Sequence, residues 1–205
     1  MMNLMDQDHP VHRFFNTIGD VVLLNLLFLL CCIPVITIGP ALTALFHCTL
    51  RIVKGSLDGA FSTFFSAFRQ NFLQALAAWL LFLAAALILV SNLRFLESRP
   101  AGRPFYLMSG FPAALLAIYF LYVFPVIAAF SNRLFPLIKN AYAFALLHFP
   151  STAVMAFLTI FPMYMTYQDL QLMPLYACCW FFFGFSLTAL ANSLLLYRIF
   201  RPYLT

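Results

Sequence analysis

Polar side chains inside the long apolar segments are the residues of this sequence that could carry chemistry. Asp20 and Asn25 lie near the start of the first apolar run, and Asn192 lies within the last one. Burying such groups in lipid is costly unless they find partners. An aspartate at such a position could bind a proton or an ion, or anchor a partner protein. An asparagine amide could hydrogen-bond a substrate.

Each of these residues also has a structural explanation. Asp20 falls close to a helix N-terminus, where the helix dipole favours a carboxylate. Asn25 and Asn192 can equally hydrogen-bond a neighbouring helix, as asparagine commonly does in membranes. The sequence therefore names these three residues as candidates and leaves both explanations open.

A break in the first apolar run is the other candidate site. Pro34, Gly39 and Pro40 fall within seven residues, with Thr37 between them, and would end or kink a helix. The backbone groups freed there must be satisfied by protein or by water. Broken helices often line binding sites in transporters. A plain turn between two arms of a hairpin would produce the same pattern.

The sequence contains no pattern typical of an enzyme or a metal site. Its six acidic residues are scattered, and no two are spaced as a general acid–base pair. It has no nucleophile elbow, no zinc-protease helix and no phosphate-binding loop. The five cysteines lack the spacing of a zinc site. We therefore predict a protein that is not an enzyme, with no catalytic residue, no metal and no cofactor.

The composition places the chain in a membrane. Of its 205 residues, 64% are hydrophobic and only 8% are charged, and the mean hydropathy is +0.96. Soluble domains are nearer half apolar and a quarter charged. The net charge of +5 comes mostly from Lys and Arg between apolar runs, without a basic stripe on a soluble domain. We expect contact with the lipid bilayer and no nucleic-acid partner.

The apolar runs predict an all-α fold, a polytopic transmembrane helix bundle with five to six membrane segments and one or two interfacial amphipathic helices. A single transmembrane domain is expected over residues 1–205. Its predicted parts are a polar lead-in at 1–17, a broken N-terminal hairpin at 18–53, an interfacial helix at 58–71, and membrane spans at 72–90, 109–130, 151–167 and 175–197.

The second arm of the predicted hairpin is short for a membrane span. Residues 41–53 reach only about 20 Å as a helix, against a hydrocarbon core of about 30 Å. They could cross as a short tilted span, enter as a half-helix, or form the far arm of a hairpin. The interfacial helix is predicted from phenylalanines at helical spacing from Phe61 to Phe72, with Asp58 as its N-cap.

Three blocks of the sequence resemble the YesL family of bacterial membrane proteins, a domain of unknown function. The first block comprises Gly19-Asp20, Asn25-Leu26-Leu27, Pro34-Val35-Ile36-Thr37-Ile38-Gly39 and Ala44-Leu45. The second and third comprise Phe64-Phe65, Phe68-Arg69 and Asn71-Phe72, then Phe124-Pro125, Lys139-Asn140-Ala141, His148 and Pro150.

This resemblance implies a link to sugar uptake, because genes of that family are often found near those of ABC sugar importers. We therefore expect a non-enzymatic accessory protein that assists or regulates such an importer, with the importer subunits as partners. The alternative is a small sugar transporter in its own right. The sequence leaves the oligomeric state, including a homo-oligomer, open.

The distribution of basic residues predicts the orientation in a bacterial cell membrane. If residues 18–53 enter and return, eight of the eleven Lys and Arg residues lie on one side, which the positive-inside rule makes cytoplasmic. Both termini are then cytoplasmic. If residues 41–53 do not cross, the N-terminus moves outside, while the C-terminus remains cytoplasmic.

Overall fold

Helices make up nearly all of the part of the chain that the computed structural model describes, residues 10–98, 103–168 and 170–203. They are α1 (Pro10–Cys32), α2 (Ile38–Lys54), α3 (Ala60–Gln70), α4 (Phe72–Glu97), α5 (Arg103–Ala129), α6 (Leu134–Leu147), α7 (Phe149–Gln168), α8 (Met173–Cys179) and α9 (Phe185–Phe200). Within these ranges there is no β-strand. The predicted all-α class is confirmed.

Five segments of the described chain are long and apolar enough to cross a membrane. They are Val35–Lys54, Phe72–Glu97, Leu107–Ala129, Phe149–Gln168 and Met173–Tyr203. Helices are the expected solution there, because a chain in lipid must satisfy its backbone groups internally. The structure is therefore that of a multi-pass membrane protein.

The helix bounds differ in detail from the predicted segments. The first helix already begins at Pro10, inside the predicted polar lead-in, of which residues 1–9 lie outside the described chain. The predicted span at 72–90 continues as helix to Glu97. Hydropathy marks where a segment leaves the lipid, whereas the helical hydrogen bonds continue into the polar residues beyond.

Helix α2 lies at the centre of the bundle. It packs against α1, α3, α4, α5 and α9, and nine of its seventeen residues are buried. The helix ends at Gly55, whose φ of 72° is the left-handed conformation that closes many helices. This central position makes α2 the element on which the candidate site is built.

Helix α3 packs beside the first hairpin, against α1 and α2. Its buried face holds Phe64 together with Ala60, Thr63 and Ala67, while Phe61 is exposed. The prediction that Asp58 caps this helix is wrong. The cap is Gly59, with a φ of 72° and no side-chain hydrogen bond. An aspartate would adopt that backbone conformation only with strain.

The turn between α1 and α2, residues 33–37, lies partway along α4. Trp79 of α4 donates a hydrogen bond from Nε1 to the carbonyl oxygen of Val35, at 2.9 Å. Trp79 follows Phe72 by seven residues and precedes Glu97 by eighteen. At 1.5 Å per residue the turn is about 10 Å from one end of α4 and about 27 Å from the other.

The last helical segment is continuous but not uniform. Between α8 and α9, the residues Trp180–Gly184 form a π-helical turn, in which hydrogen bonds span five residues instead of four. Gly184 is required there, because a Cβ at this position would lie 2.5 Å from Cε3 of Trp180. Such turns are frequent at functional sites, and a side chain inserted into the helix can cause the irregularity.

Candidate functional site

The Asn25 side chain joins α1 to the π-helical turn. Its Nδ2 donates to the carbonyl oxygens of Trp180, at 2.9 Å, and Phe181, at 2.7 Å. Its Oδ1 accepts from the backbone N–H of Ser186, at 2.9 Å. The side chain is fully buried. Both ends of the amide are therefore engaged by the backbone of another helix.

This contact explains how the π-helical turn is tolerated in an apolar environment. A π-turn disturbs the regular ladder of backbone hydrogen bonds and leaves groups that need other partners. Asn25 supplies a donor for two of those carbonyls and an acceptor for one N–H. The sequence separation of 156 residues between Asn25 and Phe181 makes it a long-range link between the two ends of the chain.

Side chains of the protein also bond backbone carbonyls at the break, residues 33–37. Thr37 Oγ1 lies 2.6 Å from the carbonyl oxygen of Cys31 and 2.7 Å from that of Pro34, and shares its proton between them. The Trp79 indole donates to the Val35 carbonyl. Pro34 itself is exposed. Three backbone carbonyls at the break, those of Cys31, Pro34 and Val35, are thus bonded by side chains, as an environment without water favours.

Gly39 and Pro40 fit the start of α2 for separate reasons. A Cβ on Gly39 would lie 2.5 Å from the Trp79 Cβ and 2.7 Å from the Ala75 carbonyl oxygen, so only glycine allows this approach of α2 to α4. Pro40 is buried in the first turn of α2, where a backbone N–H has no helical partner to lose.

A cavity of about 290 Å³ lies beside the break. Residues of α1, α2, α4, α5, α7 and the last helical segment line it, including Cys32 and Ile38, which flank the break on its two sides. Most of the walls are apolar. Their main polar side chains are Thr159, Thr188 and Asn192, together with the indole of Trp180.

Asn192 lines the cavity, and its side-chain oxygen has no hydrogen-bond donor in the described chain. It is only 3% exposed, and its Nδ2 donates to Thr159 Oγ1 at 3.0 Å. Its Oδ1 accepts no hydrogen bond from the described chain. The hydroxyls of Thr43 and Ser186 are also unpartnered there, but a hydroxyl can turn to another acceptor. An amide oxygen needs a donor.

The structure brings the predicted candidates together only in part. Asn192 lines the cavity, and the break borders it through Cys32 and Ile38. Asn25 packs nearby against the π-helical turn, with its amide fully used. Asp20 is half-buried and lies ten residues after the start of α1 and twelve before its end. The prediction that Asp20 falls close to a helix N-terminus is therefore wrong.

Two residues of the candidate site were not foreseen from the sequence. Both tryptophans of the chain, Trp79 and Trp180, line the cavity. Each uses its indole N–H in the bundle, Trp79 toward Val35 and Trp180 toward Thr166 Oγ1, at 2.9 Å in both cases. A buried tryptophan usually finds such a partner. A tryptophan inside an apolar run therefore indicates that a hydrogen-bond acceptor lies close to it in the folded bundle.

Side chains of the types that bind metals are scattered over the described ranges. No three His, Cys, Asp or Glu side chains there are grouped so that they could hold a metal ion. The five cysteines are free thiols.

Comparison with known proteins gives a family match over part of the chain. A family model described as "Protein of unknown function, DUF624" matches residues 21–93. The matched region holds Asn25, the whole break, α2, α3 and most of α4, and it ends well before Asn192. No significant match was found among curated proteins or among solved structures. Residues 21–93 are thus similar to a domain of unknown function.

Proposed function

We propose that this protein is a non-enzymatic accessory protein of the bacterial cell membrane, which assists or regulates an ABC-type sugar importer. The sequence blocks that resemble the YesL family support the link to sugar uptake, since genes of that family often lie near importer genes. The excess of Lys and Arg between apolar segments on one side supports cytoplasmic termini. The protein then acts through its helices and their surfaces.

The observation that carries this proposal is the use of the Asn25 amide. A transport site presents its polar groups to the substrate, and Asn25 was the best-placed amide of the first hairpin. Its Nδ2 and Oδ1 are instead engaged by Trp180, Phe181 and Ser186. Those hydrogen bonds tie α1 to the last helix and favour a rigid scaffold over a hairpin that opens and closes.

Co-purification from native membranes tests the proposal. The chain carries an affinity tag at its C-terminus, is expressed at native level, and is solubilised in a gentle detergent from cells grown on a complex carbohydrate. We expect permease subunits of an ABC sugar importer to be enriched over a matched control, an unrelated tagged multi-pass protein of equal abundance. Recovery without any importer subunit would contradict the proposal.

The second candidate function is a small transporter, and Asn192 in the cavity wall favours it. The chemistry of that cavity does not suit a sugar, however. A sugar carries a hydroxyl on most of its carbons, and the walls offer few polar groups beside Asn192, Thr159 and Thr188. Uptake of labelled oligosaccharides into proteoliposomes containing only this protein separates the two functions. Uptake above that of empty liposomes would favour the transporter.

A further inference from the structure

We propose that five exposed basic side chains form a belt that binds the headgroups of anionic phospholipids. This basic belt consists of Arg51, Lys54, Arg69, Arg133 and Arg198, all of which are exposed. They belong to α2, to α3, to the loop before α6 and to α9. Binding of lipid by this surface does not depend on the accessory role proposed above.

Two arginines of the belt lie where the apolar spans of α4 and α5 end. The candidate span of α4 begins at Phe72. Gln74 Nε2 donates a hydrogen bond to the carbonyl oxygen of Asn132, in the loop after α5, at 2.7 Å, so the two spans end side by side. Arg69 precedes Phe72 by three residues, and Arg133 directly follows Asn132. Both arginines therefore lie just outside the hydrocarbon, in a headgroup layer about 5–7 Å thick.

The end of α2 reaches the same layer. The turn before α2 is bonded to Trp79, inside the span of α4. Further along α2, His47 Nδ1 lies 3.0 Å from the carbonyl oxygen of Ala128, close to the end of α5. Arg51 and Lys54 follow His47 by four and seven residues, which carries them about 6 and 10 Å further outward. Their long, flexible side chains can place the charges among the lipid phosphates.

Helix α9 ends beside α2 at equal depth. Thr49 Oγ1 of α2 and Ser193 Oγ of α9 lie 2.8 Å apart and form a buried hydrogen bond. Both helices run outward from this pair, and Lys54 and Arg198 each follow it by five residues. Equal spacing along two packed helices puts these two charges at the same level. The belt therefore follows the boundary of the bilayer around several helices.

The charges of the belt have no partners within the part of the chain that the structure describes. None of the five side chains forms an ion pair or a side-chain hydrogen bond there. The described carboxylates are Asp58, in the loop after α2, Asp20 on α1, and Glu97 at the far end of α4. The belt thus keeps an excess of positive charge. The phosphate of an anionic lipid complements it, because an arginine can donate two parallel hydrogen bonds to a phosphate.

Exposed apolar side chains beside the belt favour a lipid over an acidic protein as the partner. Leu73 is 79% exposed and follows Arg69 by four residues, and Phe135 is 82% exposed and follows Arg133 by two. Side chains of this kind insert among acyl chains at the membrane interface, while neighbouring cations attract anionic headgroups. A phospholipid supplies both the acyl chain and the phosphate, whereas an acidic protein surface supplies only the charge.

The test measures the lipid selectivity of the full-length protein in phosphatidylcholine vesicles. Spin-labelled phosphatidylglycerol or spin-labelled phosphatidylcholine is added in small amount, and electron spin resonance gives the fraction of each that the protein immobilises. At low ionic strength, we expect phosphatidylglycerol to associate about fivefold more strongly, the effect of about one cation per lipid. Equal association of the two lipids would overturn the proposal and favour an acidic protein partner.

Salt distinguishes attraction between charges from other sources of selectivity. In about 1 M salt the Debye length falls to about 3 Å, so the preference for phosphatidylglycerol should largely disappear. A preference that persists unchanged in this salt would contradict binding through the exposed basic side chains.

Substitutions locate the lipid contact. Arg69→Gln and Arg133→Gln should each lower the selectivity for phosphatidylglycerol, and Arg69→Lys should retain most of it. Arg94→Gln is the matched control, since it removes the same charge near the other end of α4, where Glu97 already offsets it. It should leave the selectivity unchanged. Equal losses in Arg94→Gln and Arg69→Gln would reject the belt as the binding surface.

A second pair of substitutions keeps the test independent of α3. The double variant Lys54→Gln with Arg198→Gln should also lower the selectivity, although it changes other helices. All substituted side chains are exposed, so the unfolding temperature in detergent should match that of the wild-type protein. Undiminished selectivity in this double variant and in Arg69→Gln, with unfolding temperatures unchanged, would refute the proposal.

Discussion

The Nδ2 atom of Asn25 lies 2.7 Å from the carbonyl oxygen of Phe181, a residue 156 positions further along the chain. Ser186, which donates its N–H to the Oδ1 of the same side chain, follows Phe181 by five residues. Five residues is the spacing of a π-helical hydrogen bond. The amide of Asn25 therefore lies between the Phe181 carbonyl, in the π-helical turn, and the Ser186 N–H, in α9. It forms a hydrogen bond with each.

We expect Asn25→Leu to destabilise the folded protein strongly. The leucine keeps the volume but leaves the Phe181 carbonyl and the Ser186 N–H buried without this partner. The cost is on the order of 2 kcal/mol or more. Thermal unfolding in detergent, followed by loss of the monodisperse chromatographic peak, measures it. Asn140→Leu makes the same chemical change at an exposed position and is the matched control. A stability of Asn25→Leu equal to that of this control would refute the role of the contact.

A second prediction concerns the contact between α2 and α4. Gly39→Ala places a Cβ 2.5 Å from the Trp79 Cβ and 2.7 Å from the Ala75 carbonyl oxygen, so that the helices must separate. Overpacking of this kind costs about 1–3 kcal/mol. Gly19→Ala is the matched control, because a Cβ at that position meets nothing within 4 Å. We expect the unfolding temperature to fall for Gly39→Ala alone, and a fall of equal size in both variants would contradict the close approach.

The hydroxyl of Thr37 gives the third prediction. Thr37→Val keeps the shape of the side chain and removes the donor near the Cys31 and Pro34 carbonyls, which should cost about 1 kcal/mol. Thr37→Ser keeps the donor and should retain most of the stability. Amide hydrogen exchange of residues 33–40 measures the effect locally, and exchange should be faster in the valine variant. Equal exchange in both variants would show that the hydroxyl does not hold the break.

The depth of the hairpin tip gives the fourth prediction. In a variant with its five cysteines replaced by alanine, we expect Ile36→Cys to resist a membrane-impermeant maleimide added from either side. Glu97→Cys, about 27 Å further along α4 from Trp79, should react from one side. The reason is that the tip packs against Trp79, in the first third of α4. Rapid reaction of Ile36→Cys would contradict this expectation. It would show that the tip lies in water and that residues 18–53 form a hairpin that crosses the whole bilayer.

Some of the fold could be read directly from the sequence. In lipid, each segment must satisfy its own backbone hydrogen bonds, so long apolar runs such as the one from Phe72 predict helices without knowledge of their neighbours. The break at Pro34 was equally local, because proline restricts its own backbone and the residue before it. The predicted break at Gly39 and Pro40 was wrong, since both lie within the first turn of α2. The N-cap of α3 was predicted wrongly, since it depends on the backbone angle of Gly59.

The composition and order of residues thus determined an all-α membrane bundle, its apolar segments and the place of its break. Only the tertiary structure decided which polar groups meet. Asn25 and Asn192 look alike in sequence, as single amides in apolar runs. Yet Asn25 is fully used by a turn 156 residues away, while the Oδ1 of Asn192 is left without a donor in the described chain. Hydropathy depends on each residue alone, whereas a hydrogen bond depends on how two distant helices are packed.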